Sequence, residues 1–274
     1  MFYVSHKKYC FFIIITITLL ITIILIIGFD VRLKTTNYTI ESSELPDSFD
    51  GYRICQISDF HGKSFGKDEE DLIKHIKDGN PDIIIISGDF TDDSHSLNNA
   101  SILLEGIKDI APIYAISGNH EFDSEELYQK TLELYKEYNV NVLEDADAKI
   151  TRGNDSIWLH GKKYLFYDIQ KYVPDIGADG YHILLYHDPA YFLYFQYLHY
   201  DLVIGGHTHG GLIRLPFIGG LVATTGKLFP KYDKGVFTSE SGSKLVVSAG
   251  LGDAILPRFN NRPEVVIITL KKYK

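Results

Sequence analysis

Cysteine is scarce in this 274-residue chain, and the two that occur, Cys10 and Cys55, lie in an apolar N-terminal run and in a core-like strand. No disulfide framework is predicted from such a pair. Positive charge is also in deficit: the formal net charge is −9. That balance argues against a large basic surface, so a nucleic-acid backbone is not an expected partner. Beyond the N-terminal run there is no internal repeat and no low-complexity tract, and no segment points to an obligate protein partner. Small residues are missing where a signal peptidase needs them: Gly28-Phe-Asp-Val-Arg32 offers no A-x-A-like site.

What is present begins with that run. Residues 11–29 are almost wholly Ile, Leu, Thr and Phe without charge, about the length that crosses a hydrocarbon layer as a helix. The reading is a retained signal anchor rather than a buried core helix. Lys7 and Lys8 on one side nearly balance Arg32 and Lys34 on the other. A short basic tail ahead of a first apolar segment still favours a cytoplasmic N-terminus, which gives a single-pass cell-membrane protein with its catalytic domain outside. Cys10, at the membrane edge, is a faint acylation candidate. The expected division is a tail over 1–10, an anchor over 11–29, a linker with an edge strand near Tyr38 to Glu41 over 30–48, and one catalytic domain over 49–274.

Within that domain, four apolar runs read as buried strands: Arg53 to Ser58, Ile83 to Ser87, Ile113 to Ser117 and Asp201 to Ile204. Helical spacing appears over Asp68 to Asp78, Ser96 to Lys108 and Ser124 to Tyr138, the last with Ser124 as N-cap. From about Val140 short strands dominate, with a hairpin turn at Arg152-Gly-Asn-Asp155 and later strands at Gly235 to Thr238, Leu245 to Ser248 and Val265 to Leu270. The fold class is α/β, two sheets flanked by helices. Tyr186 to Tyr200 is markedly aromatic, and Pro189 suits the first turn of a helix there. Most of that helix is expected to pack into the core, with the remainder offering a lipid-binding face close to His187.

Each of the four strands ends in residues that can bind metal. Asp59 and His61 follow the first, Asp89 the second, Asn119 and His120 the third, and His207 and His209 the fourth, with His187 after Ile183-Leu-Leu-Tyr186. Strand C-termini are where open α/β sheets bind ligands. Taken singly, Asp59 is a plausible helix cap, His187 a core histidine and Gly-Asn-His-Glu an ordinary turn. Their joint occurrence in order outweighs those readings. Carboxylate oxygen with imidazole nitrogen suits Mn, Fe or Zn, and one carboxylate, with Asp89 the candidate, can bridge two ions. Two cations roughly 3.5–4 Å apart polarise a phosphoryl oxygen and lower the pKa of a bridging water. The remaining histidines, His75, His95, His160, His182 and His199, lack a strand-end setting; His95 is at most a support for a ligand.

The ordered motifs D-x-H, GD, GNH[ED], H and GH-x-H resemble those of the calcineurin-like metallophosphoesterases over roughly residues 50–270. Gly206 to Pro216, and Gly250-Leu-Gly-Asp253 through Asn261-Arg-Pro-Glu264, resemble the membrane-anchored bacterial YkuE/YaeI-type branch. The resemblance implies Asp59, His61, Asp89 and His209 at one metal and Asp89, Asn119, His187 and His207 at the other. It places His120 beside the phosphate as acid or charge stabiliser, help typically worth ~10²–10⁴ in rate. The implied reaction is hydrolysis of a phosphodiester or pyrophosphate by a hydroxide bridging two divalent ions. An envelope lipid, a nucleotide sugar such as a UDP-diacylglucosamine, or a wall metabolite is the expected substrate. Phosphoprotein is disfavoured, because Gly88-Asp-Phe-Thr-Asp-Asp93 has acids where the Ser/Thr phosphatases carry an arginine. Arg214 is the preferred substrate contact, while Arg258 and Arg262 are expected to tie down the final strand. The competing reading is a non-catalytic envelope-binding protein that keeps the fold.

Overall fold

A computed structural model describes residues 2–93, 97–164, 174–177, 179–224, 226–252 and 256–273, with side chains from residue 8. His95 and Asp253 lie outside the described residues.

Helix α1, Phe2–Gly28, begins well upstream of Phe11, and its stretch from Lys8 to Gly28 is apolar, long enough to cross a bilayer and exposed up to Ile27, with Gly28 buried. Strand β1, Lys34–Ser42, follows almost at once. The edge strand expected near Tyr38 is therefore nine residues long, and the linker shrinks to a few residues. Alternation along Lys-Thr-Thr-Asn-Tyr-Thr-Ile-Glu-Ser is weak because threonines occupy both faces, so only the Tyr38–Ile40 side, turned to the core, stood out.

The first sheet has the order β1, β14, β2, β3, β4, β5, where β2 is Arg53–Ile57, β3 Ile83–Ser87, β4 Ile113–Ile116, β5 Asn141–Val142 and β14 Glu264–Lys272. The second has the order β12, β13, β9, β8, β7, β6, where β6 is Ala146–Arg152, β7 Asp155–Gly161, β8 His182–Leu185, β9 Leu202–Gly205, β12 Gly235–Thr238 and β13 Lys244–Val247. A small hairpin of β10, Arg214–Leu215, and β11, Gly219–Gly220, stands apart. Strands β2 to β5 run parallel to one another, as do β7 to β9, so the C-terminal ends of the central strands gather along one edge of the sandwich.

Period-two packing builds the layers. Ile83 and Ile85 face the second sheet, meeting Ile183, Leu185 and Ile204, while Ile84 and Ile86 face outward onto helices α2, Glu70–Asp78, and α3, Leu97–Ile107. A strand buried on both faces reads as a continuous apolar run, which is why these strands were plain in the sequence. Helix α4, Glu125–Glu137, covers the same face and is capped by Ser124, whose hydroxyl accepts the Leu127 N–H. Deep between the sheets the buried Gln56 amide donates to Ser87 Oγ and to Gly205 O, tying β2, β3 and β9 together just below the strand ends.

The aromatic segment differs from expectation. Its helical part is a 3₁₀ turn at Pro189–Tyr191 and one α turn, α5, at Phe192–Phe195, after which the chain turns back. Phe192, Phe195 and Tyr200 pack on the outer face of the second sheet. Tyr197, on the exposed side, lines a cavity with Tyr181 and Asp201 at the N-terminal ends of β8 and β9, the far end of those strands from His187.

Candidate metal centre

The strand ends bring the expected ligands to one place. Asp59, His61 and His209 have ligand atoms all within 4.8 Å of one another, and so do Asp89, His187 and His207. Asp89 also belongs to a group with His61 and His120 on the same criterion, so it lies between the two sets. His61 Nε2 is 3.2 Å from His209 Nε2, a separation of two imidazole nitrogens suited to facing a common ion. His209 Nε2 is 3.3 Å from Asp59 Oδ1, and His187 Nε2 is 3.0 Å from Asp89 Oδ2 and 3.9 Å from Asp59 Oδ1.

The backbone is bent to achieve this. Asp59, His61, Asp89, His207 and His209 all have φ between 45° and 67°, the left-handed region that side chains other than glycine rarely enter. Such conformations cost of order ~1–3 kcal/mol each and persist only where surroundings enforce them. The enforcement is visible. The buried Glu121 carboxylate accepts four backbone N–H groups, from Asp89, Phe90, Thr91 and Gly118. The Asp59 turn is held by Asp59 N–H donating to Gly88 O and by Gly252 N–H donating to Asp59 O. Room is as tight as the turns: a Cβ on Gly206 would lie 1.9 Å from Ser58 Oγ and 2.4 Å from Asp59 Oδ2.

Outer contacts fix which nitrogen each imidazole presents. His187 Nδ1 lies 2.8 Å from Ser87 O, so Nε2 is the nitrogen turned to the centre. Asp92 Oδ2 is 3.1 Å from His61 Nδ1, and the Arg258 guanidinium is 3.4 Å from His209 Nδ1 while donating to Gly252 O and Ala249 O. Asp59 Oδ1 accepts the His207 N–H and Asp89 Oδ1 the His120 N–H.

Charge balance follows from this crowding. Burial alone pushes the Asp59 and Asp89 carboxyls up, but His209 beside Asp59 and His187 beside Asp89 outweigh it and hold both well below the usual carboxylate range. Burial works against a charged His187, yet Asp89 raises it to about 10. Burial pushes His207 and His209 down, toward the neutral form a metal needs. Glu121 is raised to about 7, by burial first and then by Asp89.

The donor set fits divalent metal. Asn119 Oδ1 is buried without a hydrogen-bond partner, although buried polar atoms nearly always have one, and His187 Nε2 faces the Asp89 carboxylate at 3.0 Å. Both are atoms the sequence reading assigned to metal. Three carboxylate or amide oxygens and four imidazole nitrogens supply the mixed O/N chemistry of Mn, Fe or Zn.

His120 stands at the mouth, its side chain 41% exposed, its ring edge-on to His61 at 4.8 Å and its Nδ1 2.8 Å from Asp123 Oδ2. Tyr164 borders the other side, its ring 6.0 Å from His187 and 6.2 Å from His207. Arg214 sits apart from the ligands: its guanidinium donates to Gly210 O and pairs with Asp233 at 2.7 Å. Arg262 donates to Arg32 O and Leu33 O, fastening the entry to β1. Asp92, Asp123, Tyr164 and Arg258 were not singled out by sequence as parts of the site. Asp92 lay three residues after the motif Asp89 and Asp123 three residues after the motif His120, a usable signal; Arg258 sat in a loop without any.

Two facing sheets with Asp, Asn and His converging at their strand ends define a metal-dependent phosphoesterase. A family profile described as Calcineurin-like phosphoesterase matches residues 52–211, more than half of the chain, and the chain belongs to that family. It is 29% identical over 254 residues to the metallophosphoesterase YkuE of Bacillus subtilis, covering 87% of this chain and 86% of that one. It is 27% identical over 230 residues to the phosphodiesterase YaeI of Escherichia coli, covering 80% and 82%. A zebrafish (Danio rerio) transmembrane protein with a metallophosphoesterase domain is 28% identical over 259 residues, covering 87% of this chain and 57% of that one. Among solved structures, the NAD nucleotidase of Haemophilus influenzae is similar with a TM-score of 0.48 at 17% identity, covering 72% of this chain and 44% of that one.

Proposed function

We propose that this protein is a membrane-anchored phosphohydrolase that uses two divalent ions to cleave a phosphodiester or pyrophosphate bond of an envelope lipid, nucleotide sugar or wall metabolite. The observation that carries the reading is the position of Asp89 between two ligand groups, together with the buried Asn119 Oδ1 that has no hydrogen-bond partner. Asp59, His61, Asp89 and His209 would hold one ion, and Asp89, Asn119, His187 and His207 the other. When bound, such a pair polarises a phosphoryl oxygen and activates water for in-line attack.

The chain's own residues supply the rest. Asp59 and Asp89 are kept ionised, and Ser87 O and Asp92 fix the tautomers of His187 and His61. Asp123 holds Nδ1 of His120, leaving Nε2 to meet the phosphate and to deliver a proton to the departing oxygen. Arg214 reaches substrate only if Asp233 gives it up, which makes it a contact for a substrate group remote from the phosphorus. YaeI is named a phosphodiesterase, which supports diester cleavage here.

Anchoring rests on the apolar α1, and the short basic N-terminal tail supports a catalytic domain on the extracytoplasmic side. Metal analysis together with turnover of bis-p-nitrophenyl phosphate tests the reading. Asp89→Asn is expected to lower bound metal and reduce turnover to background; undiminished turnover in that variant, or a metal-free active wild type, overturns it. A wild type that binds metal and turns over no phosphodiester points instead to the non-catalytic envelope-binding alternative.

A further inference from the structure

The chain between His209 and Asp233 forms two small hairpins that carry bare apolar pairs, Phe217–Ile218 at the tip of the first and Leu228–Phe229 on the returning arm of the second. Phe217 is fully exposed, and Ile218, Leu228 and Phe229 are each about 60% exposed (59%, 63% and 62%). Four large apolar side chains in two adjacent pairs are not the scattered single exposures of an ordinary surface. They are also firmly placed. The first tip follows β10, whose Arg214 N–H donates to Phe259 O, and the second hairpin is bonded onto the first through Leu221 N–H to Ile213 O and Phe229 N–H to Leu221 O.

Their position relative to α1 gives the exposure a meaning. The segment that binds β10 also binds the end of the apolar helix: Asn260 N–H donates to Gly28 O at 2.6 Å, and the rings of Phe29 and Phe259 meet edge-on at 5.2 Å. The base of the first hairpin is therefore joined, through Phe259 and Asn260, to the point where the helix leaves its apolar stretch. In the same corner Lys34, Arg214, Lys234 and Arg262 line a cavity of about 500 Å³ together with Asp30; Lys34 and Lys234 pair with Glu264, Arg214 with Asp233 and Arg262 with Asp30. Lys227 and Lys231 flank the Leu228–Phe229 pair and are exposed. Apolar pairs with cations set behind them match the layering of a lipid–water interface, acyl boundary below and anionic headgroups above.

We propose that this corner is a second membrane contact, in which the Phe217–Ile218 tip and the Leu228–Phe229 arm enter the bilayer interface and the cavity lined by Lys34, Arg214, Lys234 and Arg262 takes an anionic lipid headgroup. The proposal rests on the reading of α1 as an anchor. It bears on the site directly, because the hairpins leave the metal-ligand loop at His209 and Thr224 Oγ1 donates back to His207 O at 2.8 Å. The contact would hold the centre at the headgroup plane, where a lipid-linked phosphoester lies.

The test uses the full chain in vesicles of phosphatidylcholine and phosphatidylglycerol, with Trp158, the single tryptophan, changed to Phe. Phe217→Trp, and in a separate protein Phe229→Trp, place a reporter in each pair, and Leu193→Trp places one on an exposed residue of the outer layer. Lipids brominated on the acyl chain are expected to quench the Phe217→Trp and Phe229→Trp reporters several-fold and shift their emission to the blue, leaving Leu193→Trp unquenched. Solvent-like, unquenched emission from both pairs in a chain that resists alkaline carbonate overturns this contact while the anchor stands. Emission that turns blue only as the chain self-associates assigns the pairs to a second copy and likewise overturns it. Release of the chain by carbonate overturns the anchor and this proposal with it.

Discussion

Glu121 Oε2 accepts the backbone N–H of Asp89 at 3.0 Å, and its other oxygen accepts the next two N–H groups along the same turn. One carboxylate from the end of β4 thus sets the shape of the turn after β3. Glu121→Ala removes the acceptor for four buried donors, each worth about 1–3 kcal/mol when left unpaired. The variant is expected to lose at least about 3 kcal/mol of stability in denaturant unfolding and to bind less metal. Glu121→Gln keeps an acceptor oxygen and is expected to lose less of both.

His120 and Asp123 are expected to act as a pair. His120→Ala should lower kcat by ~10²–10⁴ for substrates with a poor leaving group while metal content stays at the wild-type level. Asp123→Ala should lower kcat by a smaller factor, with KM and metal content unchanged, because it frees the ring without removing it. Loss of metal in either variant would place His120 among the ligands instead.

Gly206→Ala forces a methyl group against Ser58 and Asp59 at separations no Cβ tolerates. The expected result is a folded protein with weakened metal binding, read as a higher metal concentration for half-maximal turnover. Chelation of the wild type should abolish turnover reversibly. It should also lower the unfolding free energy, since a metal present at about 100 times its Kd stabilises by about 2.7 kcal/mol.

Asp201, at the opposite end of the strands, gives a pH signature. Burial pushes its carboxyl up to about 6, against the His182 N–H that it accepts. A folded-state pKa above the unfolded value means that the fold favours the protonated acid. Its contribution is full below about pH 4 and is lost as pH rises through 6. Asp201→Asn keeps the acceptor and removes the charge. Relative to wild type it is expected to gain about 1–3 kcal/mol at pH 7.5 and little at pH 4 in urea unfolding.

Much of the layout was legible because the chemistry is local. Ile83 to Ile86 could only be a strand buried on both faces, and the polar residues that end it had to face a ligand or be wasted. Asp59, His61, Asp89, His187, His207 and His209 were picked out by their order along the chain, and the fold gathers them into overlapping groups at the strand ends. Other features depended on distant contacts. Arg258 becomes part of the centre only because the loop before β14 folds back over His209, 49 residues away in sequence. Asp233 claims Arg214 from a turn that carries no motif. The segment after Pro189 carried helical apolar spacing, but Phe192, Phe195 and Tyr200 reach the second sheet after a single turn, so burial is satisfied without a longer helix.

The strand order of the first sheet has a consequence for biogenesis. Lys34 pairs with Glu264 and Ser42 with Lys272, so β14, the last of these strands to leave the ribosome, must wedge between β1 and β2, the first two. Until it arrives, Tyr38 and Ile40 on one side and Ile54 on the other lack the partner that seals them. The nascent domain therefore stays open until β14 is made, and closes in one late step that joins β1 to β2.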